Sequence, residues 1–190
     1  MSSHHIIRDE QEPPVLVFEL FDNWNEISEL LAWSPILLID PQMEEVFSSK
    51  QTKVDGFLVS QEEEVDIRDA KSLVYNSSNL AWSINKWAEG KKYTAIYIFC
   101  DSDLMSKLID DKKAVKFLIP IIFFTDNGKY TLIPNYKFRK WYPKNYKIDI
   151  LNNDIVAIEN LSKDGKGFYL EKDGFIKIEV EGDFILIKEK

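Results

Sequence analysis

Cysteine, histidine and glycine are scarce in this chain, and each scarcity removes a class of function. The single cysteine, Cys100, cannot form an internal disulfide, which argues against a small secreted scaffold held by cross-links. The only histidines, His4 and His5, stand side by side in a polar N-terminal stretch. A Cys-His catalytic pair built on Cys100 therefore has no partner inside the folded pattern. Seven glycines in 190 residues leave little backbone for a phosphate cradle, and no Gly-x-x-x-x-Gly-Lys-Ser/Thr run occurs. Positive charge is also short: 24 Lys+Arg face 32 Asp+Glu, a net charge of -8, which speaks against a nucleic-acid binder working through phosphate contacts. The longest apolar run, Phe117 to Phe124, contains Pro120 and falls far below the roughly 20 residues of a membrane-spanning helix. The first ten residues are polar and acidic, without the apolar stretch of a secretory signal. Together these features lead to the expectation of a cytoplasmic protein that binds neither nucleic acid nor membrane.

What is present is core material: 45% of the residues are apolar and 13% aromatic. From Pro14 to Thr125 short apolar runs alternate with helical periods, the pattern of strands joined by crossover helices. Val15 to Phe18, Pro35 to Ile39, Val54 to Val59, Lys71 to Tyr75, Tyr93 to Phe99 and Val115 to Phe124 read as strands. Asn23 to Ala32, Leu80 to Ala88 and Leu104 to Ile109 read as helices, with a shorter one around Met43, Val46 and Phe47. After Asp126-Asn127-Gly128, a hairpin signal, the helical period disappears. Short β-type runs follow at 130–133, 147–151, 155–158, 167–170, 175–180 and 184–187. The charge changes at the same place, from 12 basic and 22 acidic residues before 128 to 12 and 10 from there on. The expected fold class is thus α/β. A Rossmann-like, mainly parallel sheet with flanking helices occupies 1–127, and an antiparallel β-sandwich occupies 128–190.

Several collinear segments resemble bacterial thiamine pyrophosphokinases: Ala32 through Asp40 (AWSPILLID), Lys53-Val54-Asp55, Phe138 through Pro143 (FRKWYP), Asp173 through Ile178 and Gly182 through Ile187. The resemblance implies an α/β nucleotide-binding domain joined to a thiamine-binding-like β-sandwich, a homodimer, and ATP and Mg²⁺ as cofactors if the chain is active. Mg²⁺ chemistry requires hard oxygen ligands, supplied by acidic side chains at the carboxyl ends of strands. Set against the family pattern, Gly-Asp-x-Asp-Ser falls on Val59-Ser60-Gln61-Glu62-Glu63, where only Glu62 keeps a carboxylate. The Thr-Asp pair falls on Ser78-Asn79, and the Arg-x-Asp-His segment is reduced to Cys100 through Leu104 with Asp103 as the match. Pro41 stands where the family has glycine after Asp40, and the thiamine-contacting Ser-Asn pair is missing from Phe168 to Gly174.

The resemblance therefore implies Glu62 and Asp103 as catalytic candidates, Glu62 and Asp40 as metal candidates, and Asp40, Ser60 and Asn79 as cofactor-binding positions. Trp141 and Tyr142, an aromatic pair at the domain junction, are candidates for lining a substrate pocket or a dimer contact. Trp24, Trp33, Trp82 and Trp87 read as core or interface fillers, and Gln61 to Glu64 as a solvated acidic face. The expected function is that of a catalytically impaired homologue, a binder of a thiamine-like or nucleotide small molecule or a regulatory partner. The alternatives are an active kinase with relocated ligands and a structural partner of an active paralogue.

Overall fold

The computed structural model describes residues 13–21, 24–33, 35–61, 72–111, 117–165 and 167–190. Short buried apolar runs make the first strands, β1 (Val15–Val17), β2 (Leu37–Ile39) and β3 (Gly56–Ser60). β1 pairs in parallel with β2 and with β5 (Ile96–Phe99), β2 with β3, β3 with β4 (Leu73–Tyr75), and β5 with β6 (Ile121–Thr125). β6 starts later than its apolar run because Pro120 has no N–H to donate; instead its carbonyl accepts from the N–H of Ile96 at 3.0 Å.

Strand alternation divides the apolar residues between two faces. Leu16, Leu38, Leu58, Leu73 and Ile98 face one way, in one cluster with Leu80, Ala81 and Ile84 of α3 (Leu80–Ala88) and Met105 and Leu108 of α4 (Ser102–Asp111). Val15, Val17, Leu37, Ile39 and Phe99 face the other way, against Ile27 of α1 (Trp24–Leu31) and Phe47 of α2 (Glu44–Ser49).

The turn at Asp126-Asn127 joins β6 to β7 (Gly128–Ile133) in an antiparallel hairpin. The sheet therefore continues past the change in sequence pattern. Among the described residues its order is β11-β12-β9-β14-β7-β6-β5-β1-β2-β3-β4, eleven strands that pass from antiparallel to parallel pairing. The added strands are β9 (Lys147–Ile150), β11 (Ser162–Asp164), β12 (Gly167–Tyr169) and β14 (Ile185–Glu189). A second, antiparallel sheet has the order β10-β13-β8, from β8 (Lys137–Tyr142), β10 (Ile155–Glu159) and β13 (Gly174–Val180). Ile148, Ile185 and Ile187 of the large sheet and Ile176, Ile178 and Val180 of the small one share a core. The antiparallel part is thus built of two packed layers.

The sequence reading left β8 and β11 without strand assignments. In Lys137 through Tyr142 three cations interrupt the apolar pattern, yet the strand alternates: Phe138 packs against the core between the sheets and Tyr142 is buried in it. Other strands end within a few residues of the expected positions. Lys71, Val115 and Lys116 lie outside the described residues.

Candidate functional site

In the large sheet β1 lies between β2 and β5. The chain leaves β1 toward β2 and, after β4, crosses to β5 on the other side of β1. Such a reversal opens a crevice beyond the carboxyl ends of the two strands. The polar residues that end the strands there are Glu19, Asp40, Ser60, Asp101 and Asp126.

Most of these groups hold local structure. Asp40 caps the 3₁₀ turn Pro41–Met43, its Oδ1 accepting from the Gln42 N–H at 2.9 Å. Asp101 Oδ1 accepts from the Leu104 N–H at 2.6 Å and so caps α4. Asp126 Oδ1 accepts from both the N–H of Ser102, at 3.1 Å, and its hydroxyl, at 2.5 Å, while Asn127 Nδ2 donates to that hydroxyl at 2.8 Å. These bonds tie the start of α4 to the β6–β7 turn. Ser60 is buried at the end of β3. Asn79 precedes α3, and its side chain caps none of the helix N–H groups. Asp103 is exposed in the first turn of α4. Glu62 and the rest of the acidic run to Glu64 lie outside the described residues.

Among the described residues no group of three or more His, Cys, Asp or Glu side chains could hold a metal ion. Asp40, Asp101 and Asp126 each hold a turn or helix start through Oδ1, and the described donors alone do not assemble the Mg²⁺ site that the resemblance implies. Cys100 offers no nucleophile. Its side chain has no exposed surface, and burial, followed by the negative charges of Asp101, Glu19 and Asp126, pushes the thiol far above its ordinary range. Glu19, Asp101 and Asp126 were not singled out from the sequence; the only available signal was their place directly after apolar runs.

An aromatic contact also crosses these strand ends. Phe18, which follows β1, and Tyr75, the last residue of β4, meet edge to face with centroids 5.7 Å apart. The strands between them end at Asp40 and Ser60, two residues beyond Leu38 and Leu58 and so on the same face.

Trp141 and Tyr142 do not line a common pocket. As neighbours on β8 they point to opposite faces, Trp141 half exposed and Tyr142 only 4% exposed. Tyr142 stacks on Tyr146 with centroids 4.6 Å apart. Both hydroxyls approach the Glu189 carboxylate, at 3.4 and 2.9 Å. That carboxylate also pairs with Lys129 at 2.7 Å and Lys140 at 3.4 Å. Trp141 stands beside Phe175 on the outer face of the small sheet, where the Arg139 guanidinium lies 4.1 Å from the Phe175 ring centre. On this face a concavity of about 280 Å³ is lined by Lys137, Arg139, Ala157 and Lys177 among others. Trp24 packs against Phe47 and Trp87 against Tyr93, whereas Trp33 and Trp82 are exposed.

These features define a protein of mixed α/β architecture in which a parallel sheet runs on into a two-layered antiparallel part. No protein-family model matches the sequence, and no curated protein matches it. The fold is that of the thiamine pyrophosphokinases. The thiamine pyrophosphokinase of Bacillus subtilis superposes with a TM-score of 0.58 at 12% identity, covering 94% of this chain and 99% of that one. The thiamin pyrophosphokinase of Geobacillus thermodenitrificans gives 0.61 at 9% identity over 93% and 96%. That of Candida albicans gives 0.55 at 12% over 94% and 91%. At these identities the likeness is one of fold.

Proposed function

We propose that this chain is a small-molecule-binding member of the thiamine pyrophosphokinase fold that does not transfer pyrophosphate. The carrying observation is the state of the strand-end carboxylates: Asp40, Asp101 and Asp126 cap turns and helices, and among the described residues they do not converge with other acids on a metal position. A polyphosphate needs a bridging cation or a cradle of backbone N–H groups. The acidic rim formed by Glu19, Asp40, Asp101, Asp103 and Asp126 would repel it. The same rim beside the rings of Phe18 and Tyr75 suits a small organic cation with a flat ring, so a thiamine-like ligand is favoured over a nucleotide. Titration calorimetry on the full chain separates the two: thiamine is expected to bind and ATP with Mg²⁺ is not. ATP binding tighter than thiamine would overturn the preference.

The reading includes a Rossmann-like nucleotide-domain ancestry for residues 1–127, a sandwich unit for 128–190, a cytoplasmic setting and a homodimer. Support for the dimer comes from the outer face of the small sheet, where Trp141 and Phe175 are exposed beside Arg139. Charge adds to it, since the acidic first part of one copy complements the more basic second part of another. Sedimentation equilibrium at micromolar concentration is expected to give twice the 22.2 kDa chain mass. Replacing Trp141 with Glu is expected to shift the population toward monomer, and a monomeric parent protein would refute the dimer.

A further inference from the structure

We propose that the open edge of β8 is a docking site for an extended acidic segment of a partner protein, which joins the small sheet as an added strand. Among the described residues β8 lies at the end of the order β10-β13-β8 and pairs with β13 alone. The Val180 N–H donates to the Tyr136 carbonyl at 3.0 Å. With the register that sets Lys137 against Glu179, this bond turns the N–H and C=O groups of Lys137, Arg139 and Trp141 away from β13. Lys137 shows the direction, since its N–H donates to Asn135 Oδ1 at 3.1 Å. Arg139 and Trp141 are both exposed, and their backbone groups face the open side.

Among the described residues β4, β8, β10 and β11 end the two sheets, and of these β8 is both long and regular. β4 and β11 have three residues each. β10 is interrupted by a register shift between Ile155 and Ala157. Short or bulged edges resist pairing with another chain. β8 keeps six register pairs without a shift before Pro143 follows it, so its edge offers an unbroken ladder to an incoming strand.

Charge selects the occupant. β8 carries Lys137, Arg139 and Lys140 and no acid. The acids close to it are already engaged: Glu179 pairs with Lys137 at 3.2 Å, Glu159 with Lys177 at 2.6 Å, and Glu189 with Lys129 and Lys140. Arg139 has no carboxylate partner among the described residues, and its guanidinium lies over the Phe175 ring. Cations on an edge strand turn away apolar and basic strands, and the same cations admit an acidic one. A second β8 would set them against their own kind, so an acidic strand is favoured over the same edge of another copy. On the outer face its side chains would stand beside Lys137, Arg139 and the half-exposed Trp141. In this mode main-chain bonds hold the peptide and alternate side chains select it.

Fluorescence anisotropy with the full chain and a labelled, capped peptide of alternating glutamate and valine tests the edge. The peptide is expected to bind, and to bind more weakly as salt is added. A peptide with lysine in place of glutamate is expected to bind at least about tenfold more weakly, and one methylated at its backbone nitrogens not at all. Arg139→Gln is expected to weaken binding about two- to fivefold, the range for one exposed ion pair. Trp141→Pro removes an N–H that β13 does not use and is expected to abolish binding, with its fold checked by circular dichroism; the methylated peptide makes the same test on the unaltered chain. No binding of the acidic peptide, equal affinity for the lysine peptide, or indifference to backbone methylation would overturn the acidic strand. Loss of the dimer in Trp141→Pro, beside a parent chain that ignores the peptide, would overturn it too and give the edge to a second copy.

Discussion

Replacing Glu189 with alanine is expected to lower the stability of the fold by about 2–3 kcal/mol, the range for charge-assisted hydrogen bonds lost from a buried carboxylate. In a domain of this size that corresponds to a fall in melting temperature of roughly 4–12 °C. The Glu189 side chain is 7% exposed, and it receives Lys129 from β7, Lys140 from β8 and the hydroxyl of Tyr146. One carboxylate thus joins the large sheet to the small one. Breaking a fully buried ion pair costs about 3–5 kcal/mol because the partner charge is stranded. Here the side chains of Lys129 and Lys140 are 39% and 49% exposed and regain water, which sets the smaller figure. Thermal unfolding followed by circular dichroism measures it, and a change below 1 °C would show that the carboxylate does not join the sheets.

The same network gives a pH dependence. Burial, the largest single influence on Glu189, raises its pKa, but the hydrogen bond and charge of Lys129, the charge of Lys140 and the Tyr146 hydroxyl together outweigh it and hold the group below its ordinary 4.5. A depressed native pKa means that the unfolded chain takes up the proton first on acidification. The contribution is therefore complete above about pH 4.5 and is lost as pH falls through the native value. The stability gap between the parent protein and Glu189→Gln should narrow only below that pH.

The parallel half of the fold is legible in the sequence because its strands are continuous apolar runs and its helices carry a clear apolar period. Pro120 is as visible as the run it interrupts, and the strand begins after it. β8 is hidden because its cations look like a solvated segment, although Lys140 points inward to a carboxylate 49 residues away in the chain. The same alternation separates Trp141 from Tyr142, which the sequence pairs as candidates for a pocket or a dimer contact: a strand sends neighbours to opposite faces. Asp40, Ser60, Asn79 and Asp103 could be identified as positions, but the engagement of Asp40 as a turn cap depends on local geometry that the residue type does not reveal. The Phe18–Tyr75 contact is less accessible still, since it depends on strand order and joins residues whose strands never pair.

The most direct test of the functional reading is the rate at which the full chain forms thiamine diphosphate from thiamine, ATP and Mg²⁺, measured beside the Bacillus subtilis thiamine pyrophosphokinase whose fold it shares. Metal-bridged charge stabilisation is a leading contribution to transfer of this kind, and loss of two carboxylate ligands is expected to cost several kcal/mol, on the order of 10³-fold or more in rate. The resemblance places Ser60 and Asn79 at two such positions. Product formation at least about a thousandfold slower than in the Bacillus enzyme is the predicted result. Turnover within about tenfold of that enzyme would contradict the account and would mean that acids such as Glu62 and Asp103 supply the ligands after all.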